Sequence, residues 1–288
     1  MQNPTLKCAL APDQWKGRGE PRMVESAYST AAAKRIAHIR SHLERGFTDA
    51  RLNNCVSNIE NKAGSPKGSA MSLSSHALAK AMNSWFGNND LRSMRQWFYV
   101  AARLDMLVYQ FETDTLGPFG KTLQLMKPLL SNNKSVIDWF AHYDARFDLT
   151  RAENHKTYDF LAYQAIVALR GEWPRLRERS ERVLADPPGA SEEQKYRGDH
   201  NFFLALACQD TSAMEDALHA LVLPRAVKGR ADDDCGYAAD LISIAAVIYA
   251  KIAWLHGHEV HVDSPYIPSE WLPNIPLEHY DNHYSFLA

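Results

Sequence analysis

Apolar positions recur at steps of three and four along most of this chain, the repeat of a single helix face, and alternation never lasts beyond the few residues around Val260 and Val262. The helical pattern is broadest from Tyr237 to Leu255. There Tyr237, Leu241, Ile244, Ile248, Ile252 and Leu255 are flanked by Ala238, Ala239, Ala245, Ala246, Ala250 and Ala253. A helix that is apolar or small on nearly every side offers no face to water, which predicts a central, buried element. Gly257 suits the left-handed turn that ends such a helix, and Pro265 and Pro268 bar further helix in the extended segment from Glu259 to Pro273. The chain is therefore expected to finish by packing back on its own bundle.

Residues 1 to 20 read as an irregular arm, after which Pro21 suits a first helical turn leading to Arg45. A second helix is expected over Thr48 to Ala63, and Asn61 to Ser69, with Gly64, Pro66 and Gly68, reads as a linker. Ser72 to Phe86 and Leu91 to Phe111 form a helical hairpin whose turn ends on Asp90, a good N-cap. The second of these helices carries a core stripe of Leu91, Met94, Trp97, Phe98, Ala101, Leu104, Val108 and Phe111. Helices are expected over Pro118 to Leu130, Asn133 to Phe147, Ala152 to Arg170, Arg175 to Ala185, Glu192 to Cys208 and Met214 to Leu223. The offset between Ala168–Gly171 and Ala207–Asp210 is close to that of helical-hairpin repeats. The fold expected is all-α: stacked antiparallel helical hairpins of tetratricopeptide-like geometry with an irregular C-terminal tail. We read one domain over 1–288, with an arm (1–20), an N-terminal helical half (21–147) and a C-terminal helical half (152–288).

The run from Tyr249 to Pro273, YAKIAWLHGHEVHVDSPYIPSEWLP, resembles the C-terminal signature of the immunity protein 49 family. The likeness reaches back to about Gly198 and takes in the helix break at Gln209 to Ser212. It implies an all-helical bacterial protein that neutralises the toxin domain of a polymorphic toxin or secretion system by binding it. The family supplies no shared catalytic residues, so the resemblance names a role and leaves the contact residues open.

Composition fits that role. At 288 residues, 45% hydrophobic and 23% charged, the chain is long enough to bury a large core without disulfides or metal. A net charge of -2 lacks the basic footprint of a protein that neutralises many phosphates, so direct nucleic-acid binding is not expected. A near-neutral, slightly acidic protein still suits a basic partner such as a nuclease toxin, because complementary charge raises association rate and specificity. Cys8, Cys55, Cys208 and Cys235 form no metal or redox spacing, and Cys208 reads as a small buried hydrophobe. Neither a signal peptide nor an apolar run of about 18 residues is visible, which makes the cytoplasm the expected compartment.

Three groups of residues are candidates for function. Asp232, Asp233 and Asp234 precede the buried helix, where carboxylates suit a positive helix N-terminus; the same three carboxylates would also meet a basic toxin surface. Trp271, Tyr280 and Tyr284 lie in a tail without helical period, and either dock that tail or present anchors to a partner. His256, His258 and His261, with Asp263 near them, have ligand types that suit zinc, but they straddle a helix end and an extended segment and would diverge. No nucleotide-binding, hydrolase or metalloprotease motif occurs, and neither a cofactor nor catalysis is expected. The leading expectation is a stoichiometric toxin inhibitor. A helical-repeat adaptor with no toxin partner is the alternative, and a histidine-based metalloenzyme a third reading.

Overall fold

The computed structural model describes residues 21–111, 118–189, 195–230 and 236–288, and no strand occurs among them. The all-α class and the stacking of helical hairpins are as the sequence predicts.

The first half is built from α1 (Pro21–Arg45), α2 (Asp49–Glu60), α3 (Pro66–Asn88) and α4 (Leu91–Phe111). Thr48 caps α2 by accepting from the Arg51 amide, and Asp90 caps α4 by accepting from Ser93 at 2.9 Å. The expected linker over 61–69 is shorter than read. Pro66 lacks only an amide that a first turn leaves unpaired, so it starts α3 instead of breaking the chain, and Ser65 caps that turn through Gly68. The α3–α4 pair is the most extensive helix contact in the molecule. Small residues on α3, among them Ala70, Ala77 and Ala81, let Met94, Phe98 and Leu104 of α4 pack with no exposure.

One helix was expected over 118–130, but the chain forms α5 (Pro118–Leu123) and α6 (Met126–Ser131). Pro128 has no amide to return to the Gln124 carbonyl, so the helix restarts. After α7 (Lys134–His142) and α8 (Leu149–Ala152), α9 (Tyr158–Leu169) begins later than the expected Ala152, capped by Thr157. Then follow α10 (Trp173–Ala185), α11 (Arg197–Ala207), α12 (Thr211–Leu221), which Asp210 caps, and the short α13 (Pro224–Gly229). Arg179 of α10 is wholly buried and joins three elements: it donates to Gln164 at 2.7 Å, Glu153 at 2.8 Å and the carbonyls of Ala152 and Phe160. Cys55 is a buried free thiol, whereas Cys208, at the end of α11, is half-buried and disulfide-bonded, which corrects its reading as a small buried hydrophobe.

The central helix, α14, runs from Ile244 to Leu255, and every residue from Ile244 to Ala253 is buried. It starts seven residues after the expected Tyr237. Asp240 takes φ +65° and its carboxylate pairs with Arg35 of α1 at 2.9 Å, so the chain turns there; Leu241 and Ile242 stay buried and keep the apolar pattern running across the break. α14 packs on α5, α6, α9 and α12, so it touches both halves of the chain. No helix among the described residues is long and apolar enough to cross a membrane.

Beyond Gly257, residues 258–288 form a strap over α3, α4 and the turn after α6. Arg103 of α4 donates to Asn282 and to the Leu287 carbonyl, and Gln96 exchanges hydrogen bonds with the Asp281 backbone. Asn132, in the left-handed conformation at φ +57°, donates to the carbonyls of Pro273 and Ile275.

Candidate docking surface

Asp232, Asp233 and Asp234 lie outside the described residues, but the chain on either side of them is firmly held. Arg230 and Asp199 form a buried ion pair, with an Nη1 to Oδ1 distance of 3.1 Å, and the Tyr249 hydroxyl of α14 donates to Asp199 at 2.6 Å. On the far side, Tyr237 is buried and its hydroxyl hydrogen-bonds with His42 of α1.

Trp271, Tyr280 and Tyr284 all lie on the strap but meet different partners, and no contact joins them. Trp271 is 1% exposed and packs edge-on against Trp85, Phe86 and Phe98, with ring centroids 5.7 to 6.1 Å apart. It holds the strap to the α3–α4 hairpin and is not on the surface. Tyr280 donates to the Ser131 carbonyl at 2.7 Å and packs on Tyr99, and burial raises its pKa. Tyr284 is half-buried and stacks on Phe286 at 5.3 Å, and burial pushes its hydroxyl up to about 12.

The histidines do not converge. His256 packs on Trp173 of α10 at 4.6 Å, its pKa lowered by burial, while His261 faces Trp254. Among the described residues no three histidines, cysteines or carboxylates are placed to share a metal ion.

A groove of about 680 Å³ opens where the strap crosses the C-terminal end of α3. Trp85 and Phe86 form one wall, and residues 261–272 supply the other, with Asp263 and Glu270 exposed at its edge. The strap wall is fixed in place. Ser243 donates to the Tyr266 carbonyl at 3.0 Å, Tyr266 packs edge-on against Tyr28 of α1, and the His261 amide donates to Glu215 of α12 at 2.8 Å. Sequence reasoning singled out His261 and Trp271 but missed Trp85 and Phe86, which end an expected core helix and look like any other apolar pair there. Their position just before Gly87 was the one available signal.

The family model described as Immunity protein 49 matches residues 88–271, which is more than half of the chain. The match runs from the last residue of α3 through α14 to Trp271, and so covers the central helix and the strap wall of the groove. No curated protein and no solved structure matches the chain.

Proposed function

The chain belongs to the immunity protein 49 family, and from that premise we propose that it binds a cognate secreted toxin domain and holds it inactive by direct, stoichiometric contact. The family match carries this reading. Physical requirements agree with it. A stable inhibitory complex needs an interface of roughly 1,200 to 2,000 Å² with a few desolvated anchors, and stacked helices offer rigid surface on that scale. Four of the buried charged groups, Arg179, Asp199, Arg230 and Lys251, bind structural partners within the fold. On this reading the two helical halves act as one unit, since α14 and the strap bind both.

The toxin we propose is a nuclease of a polymorphic toxin or secretion system, met in the cytoplasm of the producing cell. A nuclease presents a basic cleft for phosphates, and Asp232, Asp233 and Asp234 would oppose it. Arg230 and Tyr237, on either side of that acidic segment, are both held by the fold. Trp271, Tyr280 and Tyr284 act in this account by keeping the strap in place beside the interface.

Co-expression with a candidate cognate toxin domain, in a sensitive host, tests the role. Growth should be restored by this chain and not by an unrelated helical protein. Continued killing with both proteins folded would discard the immunity reading in favour of an adaptor that serves some other partner.

A further inference from the structure

The groove between α3 and the strap has a chemistry that selects its occupant. We propose that it receives a guanidinium-bearing segment of the toxin, with an arginine side chain lying against Trp85 and Phe86 and paired with Asp263 and Glu270. The proposal rests on the immunity reading and adds to it the contact surface and the kind of residue recognised.

Charge complementarity decides the occupant. Neither carboxylate forms an ion pair among the described residues, and no lysine or arginine lines the groove, whose one basic side chain is His261. Glu215, behind the strap wall, adds negative potential while its own oxygen holds the His261 amide. The groove therefore attracts a cation, and its aromatic wall favours a planar one: guanidinium stacks on ring faces and pairs with carboxylates in a fixed fork, whereas ammonium is a strongly hydrated point charge. A volume of about 680 Å³ lies within the usual range of roughly 300 to 1,000 Å³ for recessed binding sites, enough for one long side chain and part of its backbone.

Rigidity supports the same assignment. Trp85 and Phe86 are each braced by the buried Trp271, and the opposite wall is tied to α1, α12 and the start of α14. The site is thus formed before the partner arrives. Little side-chain entropy remains to be lost on the aromatic side, the condition under which a few anchors dominate an interface.

The test uses the full chain and the toxin domain carrying an inactivating active-site substitution, with association and dissociation rates followed at low and at physiological salt. The Asp263→Asn, Glu270→Gln double variant should associate about tenfold more slowly at low salt and show a flatter salt dependence, because exposed charges act mainly on encounter. Asp263→Arg should weaken binding by roughly a hundredfold or more, since it sets like charge against the incoming cation. Both positions are exposed, so folding is not at risk, and Glu278→Gln, an exposed carboxylate outside the groove, should bind as the parent does. Unchanged rates in both groove variants would overturn the proposal while leaving the immunity reading intact. Absence of binding by the parent chain would instead remove the immunity reading itself. If the groove variants bind toxin normally but abolish a self-association seen by sedimentation, the groove belongs to a second copy of this chain and the proposal falls.

Discussion

The Lys251 ammonium of α14 lies 2.7 Å from the side-chain oxygen of Asn132, a residue 119 positions earlier that forms the turn between α6 and α7. The same nitrogen donates to the Leu272 carbonyl at 2.9 Å and to Asn274 at 2.7 Å. One fully buried amine thus gathers a turn of the first half and two residues of the strap onto the central helix. It is the hub of the strap's attachment, with Arg95 beside it donating to Pro273.

Burial, with Arg95 nearby, pushes the Lys251 pKa down from its ordinary 10.5 to about 7. Between those values the unfolded chain holds more protons than the folded one, so stability rises as pH rises through that window. Urea denaturation should show a higher midpoint at about pH 9 than at about pH 7, and Lys251→Met should remove that rise. An equal rise in the variant would assign the effect to other groups.

Acid acts most strongly through two of the four histidines whose pKa burial lowers. Burial lowers His76 and His200 from 6.5 to about 4, so the folded state binds fewer protons between those values and stability is lost as pH falls from about 6.5 towards 4. Melting temperature should drop over that interval in the parent chain. The His76→Gln, His200→Gln double variant should lose most of this slope, and a parallel slope in both proteins would contradict the assignment.

Trp271 fastens the strap by packing, so its truncation leaves a cavity among Trp85, Phe86 and Phe98. Trp271→Ala should cost about 3 to 5 kcal/mol, whereas Trp271→Phe should keep much of that stability. Hydrogen exchange should quicken across 258–288 well before the amides of α14 are affected. Protection of the strap unchanged in the alanine variant would refute the anchoring role.

The Asp199–Arg230 pair fixes the chain just before the acidic segment. Asp199→Ala takes the buried carboxylate away from both Arg230 and the Tyr249 hydroxyl and should destabilise by about 3 to 5 kcal/mol. Replacing both partners, Asp199→Leu with Arg230→Met, should be milder, because the buried cation is removed together with its carboxylate. A double variant less stable than the single one would show that the pair itself contributes net attraction.

The hairpin of α3 and α4 was legible because polar and apolar residues alternate around α4 with a helical period, and Asp90 announces its start. The start of α14 was not. Tyr237 to Ile242 are mostly buried although they turn, and burial on all sides erases the periodic contrast that marks a helix boundary. Pro66 was read as a breaker because a proline at a first helical turn and one in a loop look alike without their neighbours. Of the tail, the return onto the bundle was visible, and so was the choice for Trp271 between docking and display. The groove was not, because its walls come from residues 85–86 and 261–272, far apart in sequence, and nothing local marks them as a pair.

Direct neutralisation is tested most sharply by titrating a fixed amount of the purified toxin domain with this chain while following the toxin's own activity. The account predicts a linear fall to zero at one equivalent, with a complex of matching stoichiometry recovered by gel filtration. Full inhibition at a small fraction of an equivalent would reveal catalytic inactivation, and undiminished activity at several equivalents would show that the chain does not neutralise this toxin. Either result contradicts stoichiometric inhibition.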